Sequence, residues 1–272
     1  MRTIYIHPHI PKCGGSTVGN FLNRNFVGDK LLAEAQTYPG IQYTSAQISQ
    51  IIDWYPLFTC LTGHGISLDL PFERDDLDLK VFTFVRDPAQ RFVSNYFFER
   101  NRSLTNSRVI MWPEAGSMNL SEFVDWGLVE GNLTGRWRTQ IQFLARGKFD
   151  MIESLISHNR LMLFPLSRLH DSLYTLHKSF PHDFPAFEYN NQNASKKDQS
   201  IPPSIIDTIA SYFPDDLELL ALANQTALSI VPPTPVTPER VFGSDNASLI
   251  PAQYVRKLGR GITKLGSWLA RI

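Results

Sequence analysis

The chain has 272 residues, of which 43% are apolar and 19% are charged, so it can bury a sizeable hydrophobic core. Its formal net charge is zero, which excludes a nucleic-acid binder that relies on overall positive charge but allows a local basic pocket. Two cysteines, Cys13 and Cys60, are too few for a disulfide-built secreted scaffold. No basic and apolar leader precedes the first predicted strand, so we expect a cytoplasmic protein without a membrane anchor.

Predicted strands and helices alternate along the chain from its start. Apolar runs predict strands at 3–7, 57–62, 80–85 and 160–165, and helical periodicity predicts helices at 16–26, 45–54, 133–146, 149–158, 168–180, 203–213 and 215–223, with another that begins at Asp87. Residues 103–118 and 183–200 are predicted as loops. This alternation favours an α/β fold in which helices flank a mainly parallel central sheet.

The first predicted strand leads into a loop at residues 11–17, PKCGGST, ahead of a predicted helix. In parallel sheets, ligands bind beyond the carboxyl ends of the strands. Gly14 and Gly15 would let the backbone approach an anion, the helix start offers N–H groups, and Lys12 adds a full charge. The alternative is a tight strand-to-helix turn that binds nothing. Because Lys12 precedes the glycines and no Gly-Lys-Ser/Thr follows, an ATP-binding loop of the Walker type is disfavoured.

Residues 81–100 repeat the order of strand, sharp turn and helix. Asp87 and Pro88 predict the helix start, because Asp is a good cap and Pro suits the first helical position. Arg86, at the end of the strand, should lie at the same sheet edge as the first loop, and its guanidinium suits phosphate. The alternative is an ion pair of Arg86 with Asp87 or Glu99. Two anion-competent loops at one edge favour one ligand with two anionic ends.

The motif pair IPKCGGST (residues 10–17) and VRDPAQRFVSNY (residues 85–96) resembles the phosphosulfate-binding and 3′-phosphate-binding motifs of the carbohydrate sulfotransferases. It is most similar to the group that contains the heparan sulfate 2-O- and 6-O-sulfotransferases, whose first motif reads I-P-K-T-G-G-T. The resemblance covers residues 1–225. It extends to LTGHG (61–65), GNLTGRWRTQIQFLA (131–145), RLMLFPLSRLHDSLYTL (160–176) and NQNASKK (191–197).

The resemblance implies a P-loop-like three-layer fold and a reaction in which 3′-phosphoadenosine 5′-phosphosulfate (PAPS) donates its sulfuryl group to a carbohydrate hydroxyl. The products would be a sulfated glycan or glycoside and 3′-phosphoadenosine 5′-phosphate (PAP), and no metal ion is implied. The reaction would be an in-line displacement at sulfur, in which Lys12 stabilises the leaving phosphate. The implied donor contacts are Pro11, Lys12, Cys13, Gly14, Gly15, Ser16 and Thr17 at the 5′ end, Arg86 and Ser94 at the 3′-phosphate, and Asn193, Ser195 and Lys196 near the nucleotide.

His64 is the predicted general base, because imidazole can take a proton from an alcohol near neutral pH and the flanking glycines leave it accessible. His7 and His9, close to Lys12, are the other candidates. Cys13 stands where the family often has Thr. We predict a packing substitution, although a helix N-terminus can lower a thiol pKa and thereby favour oxidation.

Three segments follow from composition: a sulfotransferase domain at 1–230, a Pro-rich linker at 231–245 and a basic amphipathic tail at 246–272. The tail pattern at 254–272 predicts contact with its own domain or another subunit, or a peripheral membrane helix. Loop 103–118, with Arg108 and Trp112, is predicted to shape acceptor choice. Two other functions stay open: a kinase-like phosphotransferase, and a non-catalytic nucleotide or sulfated-glycan binder on the same fold.

Overall fold

The computed structural model of the chain describes residues 1–34, 42–105, 112–129, 138–187 and 201–230. These residues belong to the predicted domain 1–230. The predicted linker 231–245 and tail 246–272 lie outside the described residues, as do Asn193, Ser195 and Lys196 and the first part of the helix predicted at 133–146.

In this part of the chain, the centre of the fold is a sheet of five parallel strands in the order β2-β3-β1-β4-β5. The strands are β1 (Arg2–Pro8), β2 (Lys30–Leu32), β3 (Cys60–Gly63), β4 (Leu77–Val85) and β5 (Leu161–Pro165). Apart from β2, they are largely buried apolar runs, as expected for a parallel sheet that is covered on both faces. The predicted α/β fold with a parallel sheet flanked by helices is confirmed.

The described helices include a counterpart of every helix predicted from the sequence. They are α1 (Gly15–Asn25), α2 (Ser45–Trp54), α3 (Pro88–Leu104), α4 (Leu120–Val124), α5 (Gln140–Ala145), α6 (Phe149–Ser157), α7 (Leu169–Ser179), α8 (Pro203–Ser211) and α9 (Pro214–Ile230). Of the helix predicted at 133–146, however, the described residues 138 and 139 are not helical and the helix begins at Gln140, and the helix at Leu120–Val124 was not predicted. Helix α4 continues into a π-helical turn at Asp125–Val129, and 3₁₀ turns lie at Pro113–Gly116 and Leu166–Arg168.

Side-chain caps explain why two of the predicted helix starts agree with the structure. Thr44 and Gln47 form a reciprocal capping box at the start of α2, so that this helix has its predicted bounds. Asp87 accepts a hydrogen bond from the backbone N–H of Gln90, and Pro88 occupies the first position of α3.

The structure corrects the sequence prediction where an element is short or irregular. Strand β2 was not predicted, because three residues are too few to show a period. The strand predicted at 57–62 begins only at Cys60, and Leu57 is exposed. Residues 103–118 are not wholly a loop, because α3 continues to Leu104 and a 3₁₀ turn follows at Pro113–Gly116.

A second hydrophobic core lies beside the sheet, between α3, α4, α8 and the 3₁₀ turn at Pro113–Gly116. Trp112 is buried in it and packs edge-on against Phe123 and Trp126. The side chain of Trp112 therefore belongs to this core, and the influence of loop 103–118 on acceptor choice stays a prediction. Arg108 lies outside the described residues.

Candidate active site

The loops that follow β1, β3, β4 and β5 meet at one edge of the sheet, because parallel strands present their carboxyl ends on the same side. Two hydrogen bonds join the turn after β1 to the end of β4 and to α3. Arg86 Nη1 donates to the Lys12 carbonyl at 3.2 Å, and Arg91 Nε donates to the Pro11 carbonyl at 3.1 Å. The structure therefore brings together the two anion-competent loops that the sequence predicted at one edge.

The turn at Lys12–Gly14 has a tightly bent backbone. Lys12 has φ 68° and Gly14 has φ 81°, both in the left-handed region. Helix α1 then begins at Gly15 without a side-chain cap and without an acidic residue in its first turn. The first N–H groups of an α-helix lack partners within the helix, and the positive end of its dipole favours an anion.

The two glycines of this turn are required for different reasons. A side chain at Gly14 would be strained by the positive φ, and its Cβ would lie 2.5 Å from Leu166 Cδ1. Gly15 has no such φ, but a Cβ there would lie 1.6 Å from His9 Nε2. The space beside Gly15 is thus occupied by a histidine ring of the same chain.

Lys12 extends toward α3, where its Nζ lies 3.9 Å from the ring centroid of Phe98. Burial, together with the positive charge of Arg86, lowers the pKa of Lys12 to about 8. A cation–π contact favours the charged form, so the ammonium group remains a positive charge near neutral pH. An anion that reaches it would relieve the repulsion from Arg86.

The main chain of Arg86 is held by the side chain of Gln140, which is fully buried. Gln140 Oε1 accepts from the Arg86 N–H at 2.8 Å, and its Nε2 donates to the Arg86 carbonyl at 2.7 Å. The amide thus pairs with both backbone groups of Arg86. This pairing fixes the end of β4 against the start of α5.

Asp216, on α9, supports Gln140 from the other side. Its Oδ1 accepts from the backbone N–H groups of Gln140 at 2.7 Å and Ile141 at 3.2 Å, and its Oδ2 accepts from Gln140 Nε2 at 3.3 Å. Arg91 Nη1 lies 3.9 Å from Asp216 Oδ2 and donates to the Arg138 carbonyl at 3.0 Å. The buried Arg91 therefore acts inside the fold, between Asp216 and the loop at Pro11.

Cys13 is buried, and its Sγ donates to Gln140 Oε1 at 3.3 Å. Burial raises the pKa of the thiol to about 12, so it stays protonated near neutral pH. The burial of Cys13 and its bond to Gln140 thus support a packing role over activation of the thiol by the helix N-terminus.

His64, directly after β3, is half-buried and lies among other aromatic rings. Its Nδ1 is 2.7 Å from the His9 carbonyl oxygen, which can only accept a hydrogen bond, so Nδ1 carries the proton. In the neutral ring, Nε2 then holds the lone pair that a general base needs. The His64 ring also stacks on the His9 ring, with centroids 4.1 Å apart.

Of the two other candidate bases, His7 is buried, whereas His9 is half-buried like His64. The Nδ1 of His7 lies 2.9 Å from Thr62 Oγ1, and burial lowers the pKa of His7 to about 3. Burial and the neighbouring His64 lower the pKa of His9 well below its ordinary value. Of the three histidines, His64 has the geometry that suits proton transfer from an acceptor.

The remaining predicted donor contacts differ in exposure. Ser16 is exposed at the start of α1, Ser94 is half-buried on α3, and Pro11 and Thr17 are buried.

The sequence did not predict the supporting roles of Gln140, Arg91 and Asp216. The resemblance at residues 131–145 was the one signal for Gln140, whereas nothing in the local sequence distinguishes Asp216.

Within the described ranges, no group of three His, Cys, Asp or Glu side chains is placed to hold a metal ion. In the same ranges, no helix combines the length and apolar character that crossing a membrane requires.

An α/β fold with cationic groups and a helix N-terminus at the carboxyl edge of its sheet forms a candidate anion-binding site. A family model described as "Sulfotransferase family" matches residues 5–222 of the chain. The chain therefore belongs to the sulfotransferase family.

Two solved structures are similar to this chain at low sequence identity. One is a sulfotransferase from Alicyclobacillus acidocaldarius, with 12% identity, a TM-score of 0.45, and coverage of 82% of this chain and 96% of that one. The other belongs to the PezAT chromosomal toxin–antitoxin system of Streptococcus pneumoniae, with 9% identity, a TM-score of 0.30, and coverage of 84% and 87%. A comparison with curated proteins gives no match.

We predict that Gln140→Ala destabilises the protein, because it leaves the Arg86 N–H and carbonyl without their side-chain partner and removes one of the hydrogen bonds to Asp216. The free energy of unfolding should fall by about 2–4 kcal/mol, the cost of unsatisfied buried polar groups. Chemical denaturation measures this change, with Gln90→Ala as the control because Gln90 is exposed on α3. Equal stability of the two variants would contradict the role assigned to Gln140.

Proposed function

We propose that this protein transfers the sulfuryl group of PAPS to a hydroxyl of a carbohydrate or glycoconjugate. The family membership gives sulfuryl transfer in general terms. The observation that carries the finer proposal is the hydrogen bond from Arg86 Nη1 to the Lys12 carbonyl, since it joins two cationic residues beside the start of α1. A donor with two anionic ends fits such a pair.

The residues present fit the two anionic ends of the donor. Lys12 and the backbone from Gly14 to Thr17, with the Ser16 hydroxyl, would hold the 5′-phosphosulfate. Arg86 and Ser94 would hold the 3′-phosphate, with the guanidinium suited to two parallel hydrogen bonds. The contacts proposed for Asn193, Ser195 and Lys196 rest on the motif resemblance alone.

The proposed reaction is an in-line displacement at sulfur. The acceptor oxygen forms a bond to sulfur as the bond from sulfur to the bridging phosphate oxygen breaks, and PAP leaves. Lys12 offsets the negative charge that develops on this leaving oxygen. His64 Nε2 accepts the hydroxyl proton, because the His9 carbonyl holds the proton of the ring on Nδ1.

A carbohydrate acceptor is proposed from the motif pair, which is most similar to the heparan sulfate 2-O- and 6-O-sulfotransferase group. The zero net charge of the chain gives no separate support for a highly anionic polymer as acceptor. The cytoplasmic location and the contacts of the tail at 254–272 stay predictions.

We predict that PAP binds to the protein without added metal, with micromolar affinity that ATP does not match. Arg86→Ala should weaken PAP binding by about 1.5–3 kcal/mol, because it removes a charged hydrogen bond to phosphate. Isothermal titration calorimetry measures this effect. Arg160→Ala is the control, because Arg160 precedes β5 at the opposite edge of the sheet. Lack of PAP binding by the wild type would contradict the proposal and leave the turn an unassigned anion site. Equal ATP binding that requires Mg²⁺ would contradict it and favour the phosphotransferase.

PAP affinity should fall as the pH rises through about 8, because the pKa of Lys12 lies there and only the protonated lysine attracts phosphate. Binding above this pH should be accompanied by proton uptake, since a nearby phosphate favours the ammonium form. Titrations in buffers of different ionisation enthalpy detect this uptake. Lys12→Ala should bind weakly and with less pH dependence, whereas an unchanged pH profile in this variant would exclude Lys12 as its source.

His64→Asn should lower kcat by about 10²–10⁴-fold, the usual contribution of a general base, and leave PAP affinity nearly unchanged. Asn retains an N–H near the position of Nδ1 and removes the Nε2 lone pair. His158→Asn is the matched control, because His158 Nδ1 also faces a carbonyl, that of Ser154 at 2.7 Å, but on the exposed surface. Sulfation of a panel of glycosides by labelled donor measures kcat. Equal turnover by wild type and His64→Asn would assign the base elsewhere.

A further inference from the structure

The imidazole of His9 lies between the His64 ring and the start of α1 at Gly15. One face stacks on the His64 ring, with centroids 4.1 Å apart and planes inclined by 26°. The Nε2 edge reaches the backbone at Gly15, so closely that a Cβ at Gly15 would lie 1.6 Å from it. The His7 ring stacks on His9 at a longer centroid distance of 5.7 Å. His9 thus spans the space between the proposed base and the first residue of α1.

The backbone of His9 also belongs to this arrangement. Its N–H donates to the Gly63 carbonyl at 3.1 Å, and its carbonyl accepts from His64 Nδ1 at 2.7 Å. These two bonds fix the end of β1 against the segment after β3. They do not depend on the side chain, so they persist when the ring is removed. The contribution of the ring can therefore be separated from that of the main chain.

The geometry argues against His9 as a second base. Stacked rings present their faces to each other, so no hydrogen bond joins the His9 and His64 nitrogens through which a proton could move. The Nε2 edge of His9 is directed at the main chain of α1. Burial lowers its pKa well below the ordinary value, which keeps the ring uncharged beside Lys12.

We propose that His9 is a positioning residue, whose ring sets the distance and tilt between His64 and the phosphate-binding turn at Lys12–Gly15. This inference rests on the proposed function, because it assumes that His64 is the base. It also explains why Gly15 is a glycine. Gly15 does not have a left-handed φ, so an alanine would suit the backbone, and the His9 ring is what excludes its Cβ.

The coupling of His9 and Gly15 can be tested by a double-mutant cycle. Gly15→Ala alone should weaken PAP binding, because the new Cβ displaces the His9 ring or the turn. In a His9→Ala background the same substitution should be better tolerated, by about three- to a hundredfold in PAP affinity, the usual range for residues in contact. Equal damage in both backgrounds would overturn the contact on which the inference depends.

The positioning role is tested by the kinetics of three variants. His9→Ala should lower kcat by about 10–100-fold, because a misplaced group loses much of its effect, while PAP affinity changes little. His9→Phe, which retains a flat ring for stacking, should recover most of this loss. His182→Ala, at an exposed position, is the control. The ring-current shift of the His64 imidazole protons in NMR spectra should disappear in His9→Ala and persist in His9→Phe.

Two results would overturn the role of His9. The first is that the wild type is active and His9→Ala has the same kcat as the wild type. The other is a parallel loss of kcat, PAP affinity and thermal stability that His9→Phe does not recover, since that pattern indicates packing alone. A wild type that binds PAP but transfers no sulfuryl group would instead refute the proposed function, and the positioning of a base with it. The double-mutant cycle, read by PAP affinity, would still report whether His9 fills the space at Gly15.

Discussion

The side-chain amide of Gln140 is the interaction on which the arrangement of the site depends. Both of its polar atoms are used, since Oε1 accepts from Arg86 and Cys13 and Nε2 donates to Arg86 and Asp216. Because a buried amide without partners is costly, these bonds allow one placement of α5 relative to the end of β4. Asp216 extends the network to Arg91, and through Arg91 to the turn after β1. Sheet, helix and loop are thereby held in one geometry before any ligand arrives.

This network also explains why Cys13 can replace the threonine that the resembling family often has. Its Sγ does not face the proposed donor, because it donates to Gln140 in the interior. A threonine hydroxyl at this position could donate to the same oxygen. The requirement is thus a small donor beside Gln140, which either residue meets.

The sequence predicted the elements that are determined by residues close together in the chain. Apolar runs predicted β1, β4 and β5, helical periodicity predicted α2, the Asp87 cap predicted the start of α3, and two loops at one sheet edge indicated one ligand with two anionic ends. It could not predict β2, whose three residues form a strand only because β3 pairs with them. Nor could it predict Asp216, which is 76 residues from Gln140 in sequence. Its part in the site exists only after α9 packs beside α5.

Lys12, which precedes the two glycines, lies in the turn that Arg86 helps to hold. The chain reverses at Lys12 itself, where φ of 68° is unfavourable for a residue with a side chain. Besides the bond from Arg91 to the Pro11 carbonyl, this turn is held by hydrogen bonds from Cys13 N–H to the Ile10 carbonyl at 3.2 Å and from Arg86 Nη1 to the Lys12 carbonyl at 3.2 Å. Arg86 therefore contributes to the backbone that presents Lys12 as well as the charge proposed for the 3′-phosphate. Because this hydrogen bond couples the two residues, we expect a change at Arg86 to affect both of the positions proposed for the anionic ends of the donor.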